Sequence, residues 1–299
     1  MRKVFLAFLL VLMYVPLALV IVFSFNANRL NSVWSGFSLA WYRELFRDRA
    51  IFSALRNSVV LATISSFSAA VIGTLGAVGI AWNKPIARQV SRHGNGTKNI
   101  NGSSAGNPVR SSGRGFGHLA QIMEYLSIIP IMIPEIILGM VFLVFFSLLS
   151  LPLGMLTLVL AHTSFSIPYV YLLVKARLAG LDRSYTEAAR NLGANPWRAF
   201  ADIILPLIMP AVFSGILLSF AMSFDDVIIS IFVTGPQTNT LPIRIYTQLK
   251  TGVTPKTNAL CTLLFILTVL LCILSAAVSR LRPVGEVSEK AGLEKQPKK

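Results

Sequence analysis

The 299-residue chain is 54% hydrophobic and 13% charged, with a mean hydropathy of +0.68, and these proportions exclude a soluble globular domain. Its formal charge of +15 invites a nucleic-acid reading, which the placement of the charges argues against. Lys and Arg cluster in alternate connections between apolar runs, the pattern of a membrane protein.

Six apolar runs of about the 20 residues needed to cross a bilayer stand at 4–25, 54–82, 119–149, 152–174, 207–233 and 258–279. They predict an all-α polytopic membrane protein with six transmembrane helices. Met1-Arg2-Lys3 followed by an apolar run has the outline of a signal peptide. The run contains Pro16 and lacks a small-x-small cleavage site, so an uncleaved first span is expected. Segment 26–53 carries Trp41, Tyr42, Leu45, Phe46 and Phe52 at spacings that suit an amphipathic helix on the outer surface.

The second span is rich in small residues, and Gly73, Gly76 and Gly79 are expected to pack closely against neighbouring helices. Segment 83–118 follows, holding seven of the twenty glycines, interspersed with Ser, Asn and Arg and without an acidic residue. Such a composition buries no core, and a mobile connection is expected. Its sequons at Asn95 and Asn101 fall on the side the charges make cytoplasmic and read as accidental.

The third span carries Pro130 and Pro134, then Glu135, so a kink or break is expected there. The fifth carries Ser223-Phe224-Asp225-Asp226. A carboxylate at mid-membrane costs roughly 2.5–3.5 kcal/mol on insertion scales, which marks Glu135, Asp225 and Asp226 as candidates for a solute pathway. The plainer reading places them at an interface or in a helix cap. Cys261 and Cys272 lie eleven residues apart in the last span, too far for a disulfide. The three His show no metal-ligand spacing, and no phosphate-binding G-x4-G-K-[S/T] sequence occurs. No catalytic residue, metal or cofactor is therefore expected in this chain.

Nineteen Lys and Arg lie before the first span, in 83–118, in 175–202 and after 279. Eight occupy the alternate set, including Arg29, Arg43, Arg47 and Arg49 in 26–53 and Arg56 just inside the second span. The excess predicts that both termini are cytoplasmic.

Between the fourth and fifth spans stands Glu187-Ala188-Ala189-Arg190-Asn191-Leu192-Gly193, then Ile203-Ile204-Leu205-Pro206. This E-A-A, three residues, G, nine residues, I-x-L-P pattern resembles the coupling loop of permease subunits from bacterial binding-protein-dependent ABC importers. Trp41-Tyr42 with Asn57-Ser58, Pro134-Glu135-Ile136, Ser223-Phe224-Asp225-Asp226 and Thr234-Gly235-Pro236 with Thr240-Leu241-Pro242 are similar to blocks of their spermidine/putrescine branch. Segment 83–118 departs from that branch, where the connection is shorter and poorer in glycine.

The resemblance implies the type I ABC importer permease fold in a bacterial cytoplasmic (inner) membrane. The first helix would occupy 1–25 and a periplasmic loop 26–53. A five-helix core over 54–279 would include the coupling loop at 181–206, and a basic cytoplasmic tail would follow at 280–299. It implies a second, homologous permease subunit, a periplasmic solute-binding protein, and two ATPase subunits that bind the ATP and Mg. Glu187, Ala188, Ala189 and Gly193 would meet an ATPase. Asp225, Asp226 and Glu135, with the aromatic faces of Phe224 and Tyr169, would offer a polyamine charge-assisted hydrogen bonds and cation–π attraction. Two alternatives stand beside polyamine uptake: the same importer class for another small solute (an amino-acid derivative, opine or anion), and an ion-coupled secondary transporter.

Overall fold

A computed structural model describes residues 2–28, 33–82, 122, 125, 127–181 and 195–281. Glu187, Ala188, Ala189 and Gly193, the 83–118 segment and the tail beyond residue 281 lie outside the described residues. Among the described residues nine principal helices follow in chain order: α1 Arg2–Phe23, α2 Ala40–Arg47, α3 Arg49–Trp82, α4 Glu135–Leu148, α5 Met155–Ala179, α6 Leu205–Asp225, α7 Ile228–Val233, α8 Leu241–Thr251 and α9 Pro255–Leu281. A helical turn at Pro196–Ala199 and a π-turn at Phe200–Ile204 lead into α6. The described residues contain no strand beyond one isolated bridge between Asn26 and Phe37.

Among the described residues four helical stretches are long and apolar enough to cross a bilayer: Lys3–Phe23, Arg49–Ala81, Met155–Ala179 and Phe200–Asp225. Glu135–Leu148 and Pro255–Leu270 are shorter apolar helices. Each of the six expected spans thus falls on helix, but the third and fifth are broken. Helix at 127–132 stops at Ile133 and Pro134 before α4 begins, as the missing proline donor requires. The fifth stops at Asp225 and resumes at Ile228 with no proline near the gap. The fourth runs on to Ala179, farther than its apolar composition suggests.

The chain divides into two compact units, Met1–Arg49 with Thr247–Lys299, and Ala50–Tyr246. In the first, fully buried Asn26 organises the turn after α1. Its Nδ2 donates to the Val33 carbonyl at 2.8 Å, and its own carbonyl accepts from Trp41 Nε1 at 2.7 Å. Tyr42 OH meets Ser24 Oγ at 2.7 Å, so the Trp41-Tyr42 pair anchors α2 to the end of α1. Lys256 at the start of α9 reaches Glu44 of α2 at 2.9 Å and Asp48 just beyond it at 3.0 Å.

In the second unit α6 packs along α5, with α3 against α5 as well. Facing residues fix the directions. Ser223 of α6 meets His162 of α5, Gly215 meets Val170, and the Leu207 carbonyl accepts from Arg177 Nε at 3.0 Å. Residue numbers rise on α5 as they fall on α6, so these helices are antiparallel. Gly73 of α3 also faces Val170, and Ser65, eight residues earlier, meets Ser223 of the same layer as His162. Helices α3 and α5 therefore run the same way.

Apolar burial gains little in lipid, and close contact between backbones carries helix association there instead. A Cβ on Gly73 would lie 3.0 Å from the Ile167 carbonyl oxygen, and one on Gly215 would lie 3.1 Å from Val170 Cγ1. Gly76 and Gly79 have no such neighbours: the first would meet only Tyr171 at 3.9 Å, the second nothing within 4 Å. Of the expected glycine face, Gly73 alone makes the close approach.

Two apolar clusters result. One joins α3, α5 and the start of α6 through Ala69, Ala77, Val170, Val174 and Ile208. The other joins α3, α4, α5 and α7 through Leu61, Phe146, Leu158, Ile229 and Val233. A layer of buried polar side chains lies between them.

Candidate solute pathway at a broken helix

The polar layer centres on His162, which has no solvent exposure. Its Nδ1 is 2.7 Å from Ser223 Oγ in the last turn of α6, and its Nε2 is 3.0 Å from Ser230 Oγ in the first turn of α7. Ser223 Oγ is also 3.1 Å from Ser65 Oγ of α3. Counting protons sets the direction of this chain. Ser65 donates to the Leu61 carbonyl at 2.7 Å, so it accepts from Ser223, and Ser223 accepts from His162 Nδ1–H. In a neutral ring with its proton on Nδ1, Nε2 accepts from Ser230. One imidazole thereby holds both sides of the break and connects them to α3.

Asp226 sits in the break with extended backbone, φ −64° and ψ 128°. Its Oδ1 accepts from Ile229 N at 3.2 Å and its Oδ2 from Ser230 N at 2.8 Å. These are donors that the opening turn of a helix leaves without intrahelical partners. Its side chain is 7% exposed and stands 3.5 Å from His162 Nε2. Asp226 is thus a cap, as the plainer reading of the acidic pair allowed. Asp225, one residue earlier, is exposed. It ends α6, where the last carbonyls lack helical partners and the helix dipole is negative.

Glu135, also exposed, occupies the first turn of α4 directly after the Pro134 break. Tyr169 is half-buried within α5. Phe224 is half-buried and stacks on Phe220 with centroids 6.0 Å apart. The expected residues therefore divide: Asp225, Asp226 and Phe224 stand at one helix break and Glu135 at the other, whereas Tyr169 lies inside unbroken α5.

The other sequence blocks act as fasteners. Asn57 Nδ2 donates to the Asn239 carbonyl at 3.1 Å, and Ser58 Oγ accepts from Leu241 N at 2.8 Å. A Cβ on Gly235 would collide with the Leu153 carbonyl oxygen, and Thr157 Oγ1 donates to the Val233 carbonyl at 2.8 Å. The loop after α7 is thereby tied to the starts of α3 and α5. Sequence reasoning overlooked His162. Its signal was an imidazole inside an apolar span, which needs partners for both ring nitrogens.

Two broken spans carrying carboxylates, in an all-helical bundle, define a membrane transport component. The chain belongs to the family of binding-protein-dependent transport system inner membrane components, whose model matches residues 105–281. It is 34% identical over 277 residues to the spermidine/putrescine transport system permease protein PotC of Escherichia coli, covering 93% of each chain. It is 37% identical over 258 residues to the putrescine transport system permease protein PotI of Escherichia coli, covering 84% of this chain and 81% of that one. The PotC protein of Haemophilus influenzae matches at 34% over 280 residues, 94% of this chain and 96% of that one.

The fold matches a bacterial ABC transporter involved in import of the acidic polysaccharide alginate, with a TM-score of 0.62 at 13% identity over 93% of this chain and 94% of that one. It also matches the inward-facing MetNI methionine ABC transporter, with a TM-score of 0.57 at 17% identity over 82% of this chain and 97% of that one. The chain has the fold of an ABC importer permease and is a multi-pass inner-membrane transport component.

Proposed function

We propose that this chain is the permease subunit of an ATP-driven importer that carries spermidine or putrescine across the bacterial cytoplasmic membrane. The observation that carries the reading is the exposed carboxylate of Asp225 at the open end of α6, in a chain similar over nearly its whole length to permeases named for those amines. A polyamine is a flexible polycation at neutral pH. It is attracted by a carboxylate set at the C-terminal end of a helix, because the carboxylate and the helix dipole both present negative charge there. Capping by Asp226 offsets the positive end of α7, which would otherwise repel the same cation. Glu135 is a second anionic station, and Tyr169 and Phe224 add ring faces suited to an alkylammonium.

ATP is hydrolysed in two separate subunits that dock at Glu187, Ala188, Ala189 and Gly193, and a periplasmic protein delivers the solute. A second permease completes the pathway, and both termini of this chain are cytoplasmic. Closure of the ATPase pair moves the coupling loops, and the helices that follow them switch the pathway from outward to inward access. The test is ATP-driven uptake of radiolabelled putrescine and spermidine by proteoliposomes holding the complete importer. Saturable uptake that falls at least about tenfold with Asp225→Asn is expected. Uptake of neither amine, or undiminished uptake by Asp225→Asn, overturns the reading.

A further inference from the structure

The two acidic residues at the fifth-span break are adjacent, yet they are held very differently. Both oxygens of Asp226 are engaged by the opening turn of α7. Asp225 lies in the final turn of α6, a position where helices ordinarily fray. His162 touches both sides: Ser223, two residues before Asp225, and Ser230, four residues after Asp226.

We propose that His162 is a positioning residue of the solute pathway. By holding the last turn of α6 against the first turn of α7, it gives the break one geometry and Asp225 one direction. The proposal rests on the reading that Asp225 receives the cationic solute. A residue with a merely structural role needs only to fill the space, and an apolar side chain of similar volume serves that purpose. A positioning role needs a ring with polar atoms at two separate points, which is what two short contacts to a fully buried imidazole provide. A displacement of the receiving group by about 1 Å is enough to weaken productive binding substantially. Ser65 extends the hold to a third helix through Ser223, so the position is referenced to the bundle and not only to the broken span.

The experiment uses the complete importer in proteoliposomes, with labelled putrescine as solute and rates normalised to assembled complex. His162→Leu is expected to raise the KM for uptake about tenfold, and His162→Gln, which keeps one donor and one acceptor, to stay within about threefold of wild type. The penalty of Asp225→Asn should shrink in the His162→Leu background, because the two changes disable one device. If His162→Leu fails to assemble, Ser230→Ala, which removes only the Nε2 contact, is expected to raise the KM in the same sense. Unchanged KM in the assembled variants, or equal behaviour of Leu and Gln, overturns the proposal. Asp225→Asn separates the two failures. Normal uptake by that variant sinks the solute-site reading itself. Its loss of uptake beside a normal KM in His162→Leu sinks only the positioning role.

Discussion

Gly73 and Gly215, on two different helices, both close against the single side chain of Val170. Neither glycine is needed for its backbone angles; each is needed for the space a methyl group would take. The contact joins three helices at one level, two helical turns from the His162 layer.

Gly73→Leu is therefore expected to destabilise the helix contact by about 1–3 kcal/mol, the usual penalty for overfilling a packed site. Gly79→Leu, with nothing within 4 Å of its new Cβ, should carry no such penalty. Thermal unfolding midpoints of the purified importer in detergent check the pair. Equal midpoints would mean that the close approach is not made.

Asp226 is expected to act on folding more than on solute affinity. Asp226→Leu leaves the amides of Ile229 and Ser230 without their carboxylate partner, at about 1–3 kcal/mol for each unsatisfied buried donor. Asp226→Asn keeps one acceptor for these two amides and sets its NH2 toward the other, an intermediate loss of about 1–2 kcal/mol. The amount of assembled complex should fall in the order wild type, Asn, Leu, as size-exclusion profiles will record. A fall in affinity with assembly intact in both variants would contradict the cap.

Lys256 sets a pH dependence. Burial acts to lower its pKa, but hydrogen bonds and charge from Glu44 and Asp48 outweigh it, and the net shift is upward. A raised lysine pKa contributes stability that is full below the unfolded value of about 10.4 and is lost as pH climbs through the folded value. Unfolding midpoints should be level through neutral pH for this group and drop above about pH 10, a drop that Lys256→Met lacks. Glu44 is 55% exposed, so the neutral-pH contribution should be only about 0.2–1 kcal/mol. Identical alkaline profiles for wild type and Lys256→Met would refute it.

Gly193→Trp is expected to abolish ATP-driven uptake while leaving membrane insertion normal, because the proposed function docks an ATPase subunit at the E-A-A-x3-G pattern and a glycine admits a close approach there. ATP hydrolysis that no longer responds to the solute-binding protein would accompany the loss. Wild-type coupled uptake would remove the loop from the mechanism.

Removing about twenty residues from 83–118 should leave uptake largely intact, since loop-closure entropy changes only slowly with length. Abolished transport with normal insertion would reveal a specific contact in that segment.

Class and fold were legible because a bilayer imposes a length and an apolar composition on every span. The break at Pro134 was legible because proline removes a backbone donor. The break at Asp226 was not, since Asp225-Asp226 inside an apolar run reads equally as a pathway or as a cap; the bonds from Ile229 N and Ser230 N that decide for the cap exist only once a new helix starts at Ile228, and no proline or glycine marks that start in the sequence. His162 was passed over because a lone histidine has meaning only through Ser223 and Ser230, 61 and 68 residues away. The glycine row was half legible: three-residue spacing marked the helix face, but only the position of Val170 shows that Gly73 is the one in close contact.

The shared direction of α3 and α5, opposed by α6, has a bearing on orientation. The end of α3, the end of α5 and the start of α6 open on one face of the bundle, so the segments beginning after residues 82 and 181 leave from the same side. Their sidedness is one unknown rather than two. The six Lys and Arg of 83–118 and the five of 175–202 act as a single vote of eleven, and a membrane-impermeant label on one cysteine placed in either segment reports the orientation of both.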